Sequence, residues 1–193
     1  MPAAPAERAD AARNRRKILD AAQRITAQHG AAQLSLDTVA KAADVGVGTV
    51  YRRFGDRAGL VFALLEDREQ RFRAQLDEGP PPLGPGAPPD QRLRAFLHAL
   101  VDLVVEQREL LLLAEASDPH ARYTSTPYTA QHTHIGALLR TLRPDADTDA
   151  LADALLAPLA PSLIDHQLRH RAFDPDRIKA ALGTLADAVA THP

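Results

Sequence analysis

The chain has 193 residues, 45% of them apolar and 4% aromatic, which is enough apolar material for one large core or two small ones. It has no cysteine, which excludes disulfides and thiolate chemistry, and no apolar run near the roughly 20 residues of a membrane-spanning helix. The N-terminus has no hydrophobic leader, so the sequence predicts a soluble cytoplasmic protein. Abundant Ala, Leu and Arg and scarce β-branched runs predict an all-α fold.

Charge is unevenly distributed along the chain. The net charge is −2, but residues 1–57 carry +4 and residues 58–193 carry −6. This asymmetry favours a basic head that faces nucleic acid on an acidic body, although a chance fluctuation of composition would give the same numbers.

The N-terminal half reads as a short arm followed by helices. Residues 1–12, rich in Ala, Pro and charge, are predicted to be disordered. Gly30 and Gly55 are stop signals, Ser35 is a helix cap, and Asp44 lies in a tight turn. Helical periodicity predicts four helices here, over residues 13–29, 35–43, 47–54 and 57–78.

The C-terminal half begins after a loop. Residues 79–90 hold six Pro and three Gly, a density that no helix tolerates. Pro158 and Pro161 should kink or locally unwind the helix that contains them. Five further helices are predicted, over residues 92–108, 109–116, 127–142, 147–171 and from 174 onward.

Residues 35–60 have the pattern of two short helices joined by a turn. An apolar set would lock these helices against the first one. It comprises Val39, Ala40, Ala43, Val45, Val50 and Phe54, with Ile18, Ala22 and Ile25 opposite. The side chains left outside on the third helix are small, hydroxyl-bearing or basic. Such a surface suits a helix that lies in a DNA groove.

This order of residues resembles the DNA-binding domain of the TetR family of transcriptional regulators over residues 13–62; beyond Leu65 the resemblance is architectural. It implies a three-helix DNA-binding head over 13–60 and a helical ligand-binding and dimerisation bundle over 61–193. Three positions depart from the family pattern. Asp44 stands where Gly is usual, Gly46 replaces the usual Ser cap, and Arg57 replaces a phosphate-contacting Lys.

The resemblance also implies roles for individual residues. Val47, Gly48 and Thr49 would face base edges, Arg52 would contact guanine, and the hydroxyls of Tyr51 and Thr38 would bind phosphates. The basic cluster around Arg16 is either an ordinary solvated helix start or an arm that reaches the phosphates or the minor groove. The predicted DNA-binding set is Arg16, Thr38, Val47, Gly48, Thr49, Tyr51, Arg52, Arg53 and Arg57.

One recognition helix reads few base pairs, which favours a homodimer on a palindromic operator. Two apolar stripes on the last helices are predicted to form the interface, through Leu155, Leu159, Leu163, Ile178, Leu182 and Leu185; alternatively, both stripes pack inside the monomer. The resemblance further implies an apolar effector pocket, with Phe96, Leu100, Tyr123, Tyr128 and His132 in its wall. Tyr128 and His132 would offer polar contacts to the ligand or form a pair within the core.

The expected function is a ligand-responsive regulator, most often a repressor that a small apolar effector releases from double-stranded DNA. No cofactor or metal is predicted: His166 and His170 share a helix face, but neither Cys nor Glu-x-x-His pairs accompany them. Nucleophile-elbow, zinc-protease and P-loop motifs are absent, and Gly46-Val-Gly48 lacks the third Gly of a nucleotide loop, so no enzyme is predicted. The alternative is a helical enzyme or small-molecule carrier with an incidental helix-turn-helix.

Overall fold

The computed structural model describes residues 5–117 and 120–191, and every element in this part of the chain is a helix. The predicted all-α fold is therefore confirmed. Short 3-10 turns follow the first and the eighth α-helix, at Ala31–Gln33 and Ala157–Leu159. The α-helices are α1 (Pro5–His29), α2 (Leu36–Ala43), α3 (Val47–Phe54), α4 (Arg57–Glu78), α5 (Pro89–Ser117), α6 (Ala121–Thr124), α7 (Thr126–Leu142), α8 (Thr148–Leu156), α9 (Pro161–His170) and α10 (Pro175–Thr191).

The chain forms two compact units, Met1–Arg68 and Glu69–Pro193. The division lies inside α4, later than the boundary predicted between residues 60 and 61. Leu60 and Leu64, at the start of α4, are buried apolar residues of the first unit. The first turns of α4 therefore belong to the N-terminal core rather than to the C-terminal bundle.

The core of the first unit lies where α1, α2 and α3 pack together. Most of the predicted apolar set is buried there, but Ile25 and Val45 are only half-buried. The buried residues are Ile18, Leu19, Ala22, Leu34, Leu36, Val39, Ala40, Ala43, Val50 and Phe54.

Both ends of α2 are fixed by local interactions. The Ser35 hydroxyl accepts a hydrogen bond from the Thr38 amide at 3.1 Å, and the Ser35 amide donates to the Thr38 hydroxyl at 3.2 Å. This reciprocal capping box satisfies two backbone donors at the helix start. At the other end Asp44 takes the left-handed conformation, with φ 52° and ψ 52°. The turn between α2 and α3 thus has the backbone geometry expected of the usual Gly, supplied by Asp.

The second unit is built around α5, a helix of 29 residues that packs against α7, α9 and α10. α8 covers α7 and also contacts α10. The interior is almost entirely aliphatic, with a tilted Phe72–Phe96 pair whose ring centroids are 5.6 Å apart. Its largest fully buried side chains are Leu93, Phe96, Leu97, Leu100, Ile135, Leu139 and Leu156.

The helix starts differ from the prediction in the N-terminal region. α1 begins at Pro5, so residues 5–12 are helical although the sequence predicts a disordered arm; residues 1–4 lie outside the described residues. Proline is well tolerated in the first helical turn, and the Ala, Glu and Arg that follow are strong helix formers.

The C-terminal helices also differ in their bounds. The sequence predicts separate helices over 92–108 and 109–116, but α5 is continuous because neither Gly nor Pro interrupts residues 90–117. The four-residue helix α6 is not predicted. The helix predicted over 147–171 divides into α8 and α9, and the local unwinding expected at Pro158 and Pro161 lies between them.

We predict that Ser35→Ala lowers the free energy of unfolding by about 1 kcal/mol, because it leaves the Thr38 amide without its capping acceptor. Urea denaturation followed by circular dichroism measures the change. Ser162→Ala is the matched control, since Ser162 is exposed on α9 and is not a cap. Equal midpoints for the two variants would contradict a stabilising role for the capping box.

Candidate nucleic-acid interface

One face of α3 is buried and the other is open. Val50 and Phe54 are buried, while Val47 is 44% exposed and Tyr51 48% exposed. Arg52 lies on the same open side and is also exposed. The two buried residues are four apart and so lie on one side of the helix, which leaves the other side chains free of the core.

The start of α3 carries little side-chain bulk. Gly46 occupies the cap position without a side-chain hydrogen bond, so the first amides of α3 lack the usual hydroxyl partner. A methyl group placed on Gly48 would meet no atom within 4 Å. A flat surface such as a base-pair edge can therefore approach the α3 backbone closely at this point.

Three of the predicted basic residues are already engaged within the first unit. The Arg53 guanidinium donates to the Ala11 carbonyl at 2.7 Å, and that of Arg57 donates to the Ala31 carbonyl at 2.8 Å. Arg16 lies 3.8 Å from the carboxylate of buried Asp67. These side chains brace α1, α3 and α4 against one another, a use that periodicity alone does not reveal.

Two predicted hydroxyls are also constrained. The Thr38 hydroxyl belongs to the capping box and donates to the Ser35 carbonyl at 2.9 Å, although Thr38 itself is exposed. Thr49 is half-buried and lies away from the most open part of α3. Lys41, one turn from Thr38 on α2, is exposed and is missing from the predicted set. Its spacing of three residues from Thr38 is the signal that places it on the same helix face.

The predicted effector residues differ in their surroundings. Phe96 and Leu100 are buried in the aliphatic core of the second unit, whereas Tyr123 is 57% exposed. Tyr128 and His132 instead contact α8. The Tyr128 hydroxyl donates to the Asp153 carboxylate at 2.7 Å, and His132 Nε2 lies 3.2 Å from the Asp149 carbonyl.

A different groove of about 600 Å³ opens along α7. Four threonines and two alanines line it, together with Arg73 and His134. Burial, followed by the nearby charge of Arg92, lowers the pKa of His134, which favours the neutral imidazole. The lining residues are Arg73, Thr124, Thr126, Thr129, Ala130, Thr133, His134 and Ala137.

Most of the residues predicted for the dimer interface are not on the surface. Leu155, Leu159, Ile178 and Leu182 are at most 5% exposed and belong to the core of their own subunit. The prediction that these four contact a second copy is corrected accordingly. Leu163 on α9 and Leu185 on α10 are exposed, at 39% and 47%.

The described part of the chain is also informative about other kinds of site. Within residues 5–117 and 120–191, no group of three or more His, Cys, Asp or Glu is arranged to hold a metal ion. None of the helices described there is both long and apolar enough to span a membrane.

Two short helices, α2 and α3, are joined by a tight turn and packed against α1, and one face of α3 is exposed. This arrangement defines a helix-turn-helix protein of the DNA-binding class. Residues 18–64 match the family model described as bacterial regulatory proteins, tetR family. A curated relative, the HTH-type transcriptional regulator SAB2452 of Staphylococcus aureus, is 25% identical over 85% of this chain and 87% of its own length. These similarities support a TetR-family transcriptional regulator with a helix-turn-helix DNA-binding domain.

Solved structures share the whole fold. A transcriptional regulator from Rhodococcus sp. Rha1 superposes with a TM-score of 0.71 at 20% identity, covering 91% of this chain and 95% of its own. SmeT in a complex with triclosan gives 0.63 at 18% identity, covering 91% and 90%. The similarity therefore extends beyond the N-terminal domain to the helical bundle.

The contact between α7 and α8 has a measurable signature. Burial and the hydrogen bond to Asp153 raise the pKa of Tyr128 to about 12. A tyrosine whose pKa is higher in the folded state contributes stability that is present below its unfolded value of about 10 and is lost as the pH rises towards 12. We predict that Asp153→Asn lowers the pKa of Tyr128, because it removes the carboxylate charge.

The absorbance of tyrosinate in a pH titration measures this change, with circular dichroism to show that the protein stays folded. Asp149→Asn is the control, because Asp149 contacts His132 through its backbone carbonyl. Tyr128→Phe identifies the relevant transition among the three tyrosines. The same titration curve for wild type and Asp153→Asn would contradict the assignment.

Proposed function

We propose that this protein is a ligand-responsive repressor that binds a palindromic operator as a homodimer and is released by a small, mainly apolar effector. The observation that supports this best is the exposed face of α3, formed by Val47, Gly48, Tyr51 and Arg52. Such a protein would act in the cytoplasm on double-stranded DNA, without a cofactor and without enzymatic activity. The match of residues 18–64 to the tetR family model supports the same function.

In this proposal α3 enters the major groove. Val47 and Gly48 face base edges, Arg52 contacts guanine, and the Tyr51 hydroxyl binds a phosphate. Thr49, Thr38 and Lys41 approach the duplex from its sides. Arg16, Arg53 and Arg57 act mainly by holding the helices in place. No carboxylate offsets the positive charges of Arg53 and Arg57 in these contacts, because their partners are neutral carbonyls.

For the dimer we propose the outward faces of α9 and α10. Leu163 and Leu185 are large apolar side chains left exposed on these helices, while the stripes behind them hold the subunit together. Two copies that meet through these faces would bury both residues. The dimer would then present two helix-turn-helix domains to one symmetric site.

For the effector we propose the threonine-lined groove along α7. Its volume of about 600 Å³ lies in the range of sites for drug-sized molecules. The complex of the structural relative SmeT with triclosan supports a small organic ligand. Arg73 lies on α4, which continues from the first unit into the second. A ligand can shift the protein only by binding one arrangement of α4 more tightly than the other.

We predict that Tyr51→Ala combined with Arg52→Ala weakens binding to the DNA that flanks the protein's own gene by at least about tenfold, since each lost contact costs roughly 1–3 kcal/mol. Fluorescence anisotropy over a series of salt concentrations measures affinity and its salt dependence. Arg140→Ala is the control, because Arg140 is an exposed arginine on α7. Unchanged binding by the double variant would refute the proposed reading face.

We predict that Leu163→Asp combined with Leu185→Asp gives monomers in sedimentation velocity, because two charges would have to be buried in the interface. The variant should stay folded, since both side chains are exposed in the subunit. Phe62→Asp, at another exposed apolar residue, should leave the assembly unchanged. A double variant that sediments like wild type would place the interface elsewhere.

A further inference from the structure

Two histidine side chains, His166 and His170, are exposed to solvent in the C-terminal half of α9. His166 and His170 are four residues apart, so they lie on one face, and both are exposed. Their ring centroids are 5.4 Å apart, with an interplanar angle of 33°. Within the described residues neither ring has a hydrogen-bond or ion-pair partner, so both rings keep their nitrogens free for a ligand.

The separation of the rings suits a shared metal ion. Zinc–imidazole bonds are about 2.0–2.1 Å long, and tetrahedral geometry then places the centroids of two ligating rings roughly 5 Å apart. The observed 5.4 Å is close to that value. Two histidines one turn apart on a helix are also the spacing by which helical zinc sites supply two of their ligands.

The charged side chains near the histidines make contacts of their own. Asp165 binds both Arg108 at 2.9 Å and Arg169 at 2.8 Å, so its carboxylate offsets one of the two guanidinium charges. The Arg171 guanidinium lies 5.2 Å from the centre of the Phe173 ring. The arginines around the histidines therefore have partners of their own.

We propose that His166 and His170 form a binding site for a divalent transition-metal ion such as Zn²⁺. One chain supplies two ligands, and water or the same histidine pair of a second copy completes the coordination shell. Imidazole is a good ligand for zinc, copper and nickel, and a poor one for magnesium and calcium. The site therefore selects against the abundant hard cations.

Isothermal titration of the tag-free full-length protein with Zn²⁺, in a buffer that does not bind metal, tests this proposal. Wild type should take up zinc, and His166→Gln and His170→Gln should each weaken binding by roughly 100-fold, because the second ligand acts at a high effective concentration. His29→Gln, at an exposed histidine of α1, should bind like wild type. Magnesium should give no heat of binding in any of these proteins.

The stoichiometry adds structural detail, since either one ion per chain or one ion per two chains supports the site. Circular dichroism checks that each variant is folded, and both substituted side chains are exposed. No zinc uptake by wild type, or equal uptake by all variants, would overturn the proposal. The assay contains no DNA, so its outcome is separate from that of the DNA-binding proposal.

Discussion

The burial of Val50 and Phe54 is the constraint on which the exposed face of α3 depends. α3 has only two turns, so two apolar side chains one turn apart fix its rotation about its own axis. With that rotation fixed, Tyr51 and Arg52 must face outward. The capping box of α2 and the left-handed Asp44 set the direction in which α3 leaves the turn. Local backbone chemistry and core packing thus act on the same short helix.

The excess of basic residues in the N-terminal unit serves two purposes. Arg53 and Arg57 are anchored to carbonyl oxygens, and Arg16 lies beside a buried carboxylate. Guanidinium groups that donate to neutral carbonyls still contribute positive charge to the surrounding field, whereas Arg16 is matched by Asp67. The number of arginines in this unit is therefore larger than the number available to contact DNA, because several of them hold the helices together.

In the second unit, an apolar stripe on a helix does not by itself determine which surface covers it. The pattern of α8 to α10 requires that one side of each helix be covered, and this requirement is met mainly within the subunit by α5 and α7. Leu155 and Leu182 are core residues for that reason, whereas Leu163 and Leu185, each next to a buried residue of the same helix, are exposed. Hydrophobic periodicity is the same whether the covering surface belongs to the same chain or to another.

The sequence by itself determined the elements that depend on short-range sequence patterns. These are the helices of the helix-turn-helix domain, the cap at Ser35, the turn at Asp44 and the buried side of α3. These depend on neighbours within about one turn, so periodicity and capping rules suffice. The tertiary structure decided which carbonyl each arginine reaches, that Tyr128 bonds to Asp153, and which leucines the core absorbs. Those outcomes depend on residues 25 or more positions apart, whose meeting is set by how the helices pack and not by any pattern along the chain.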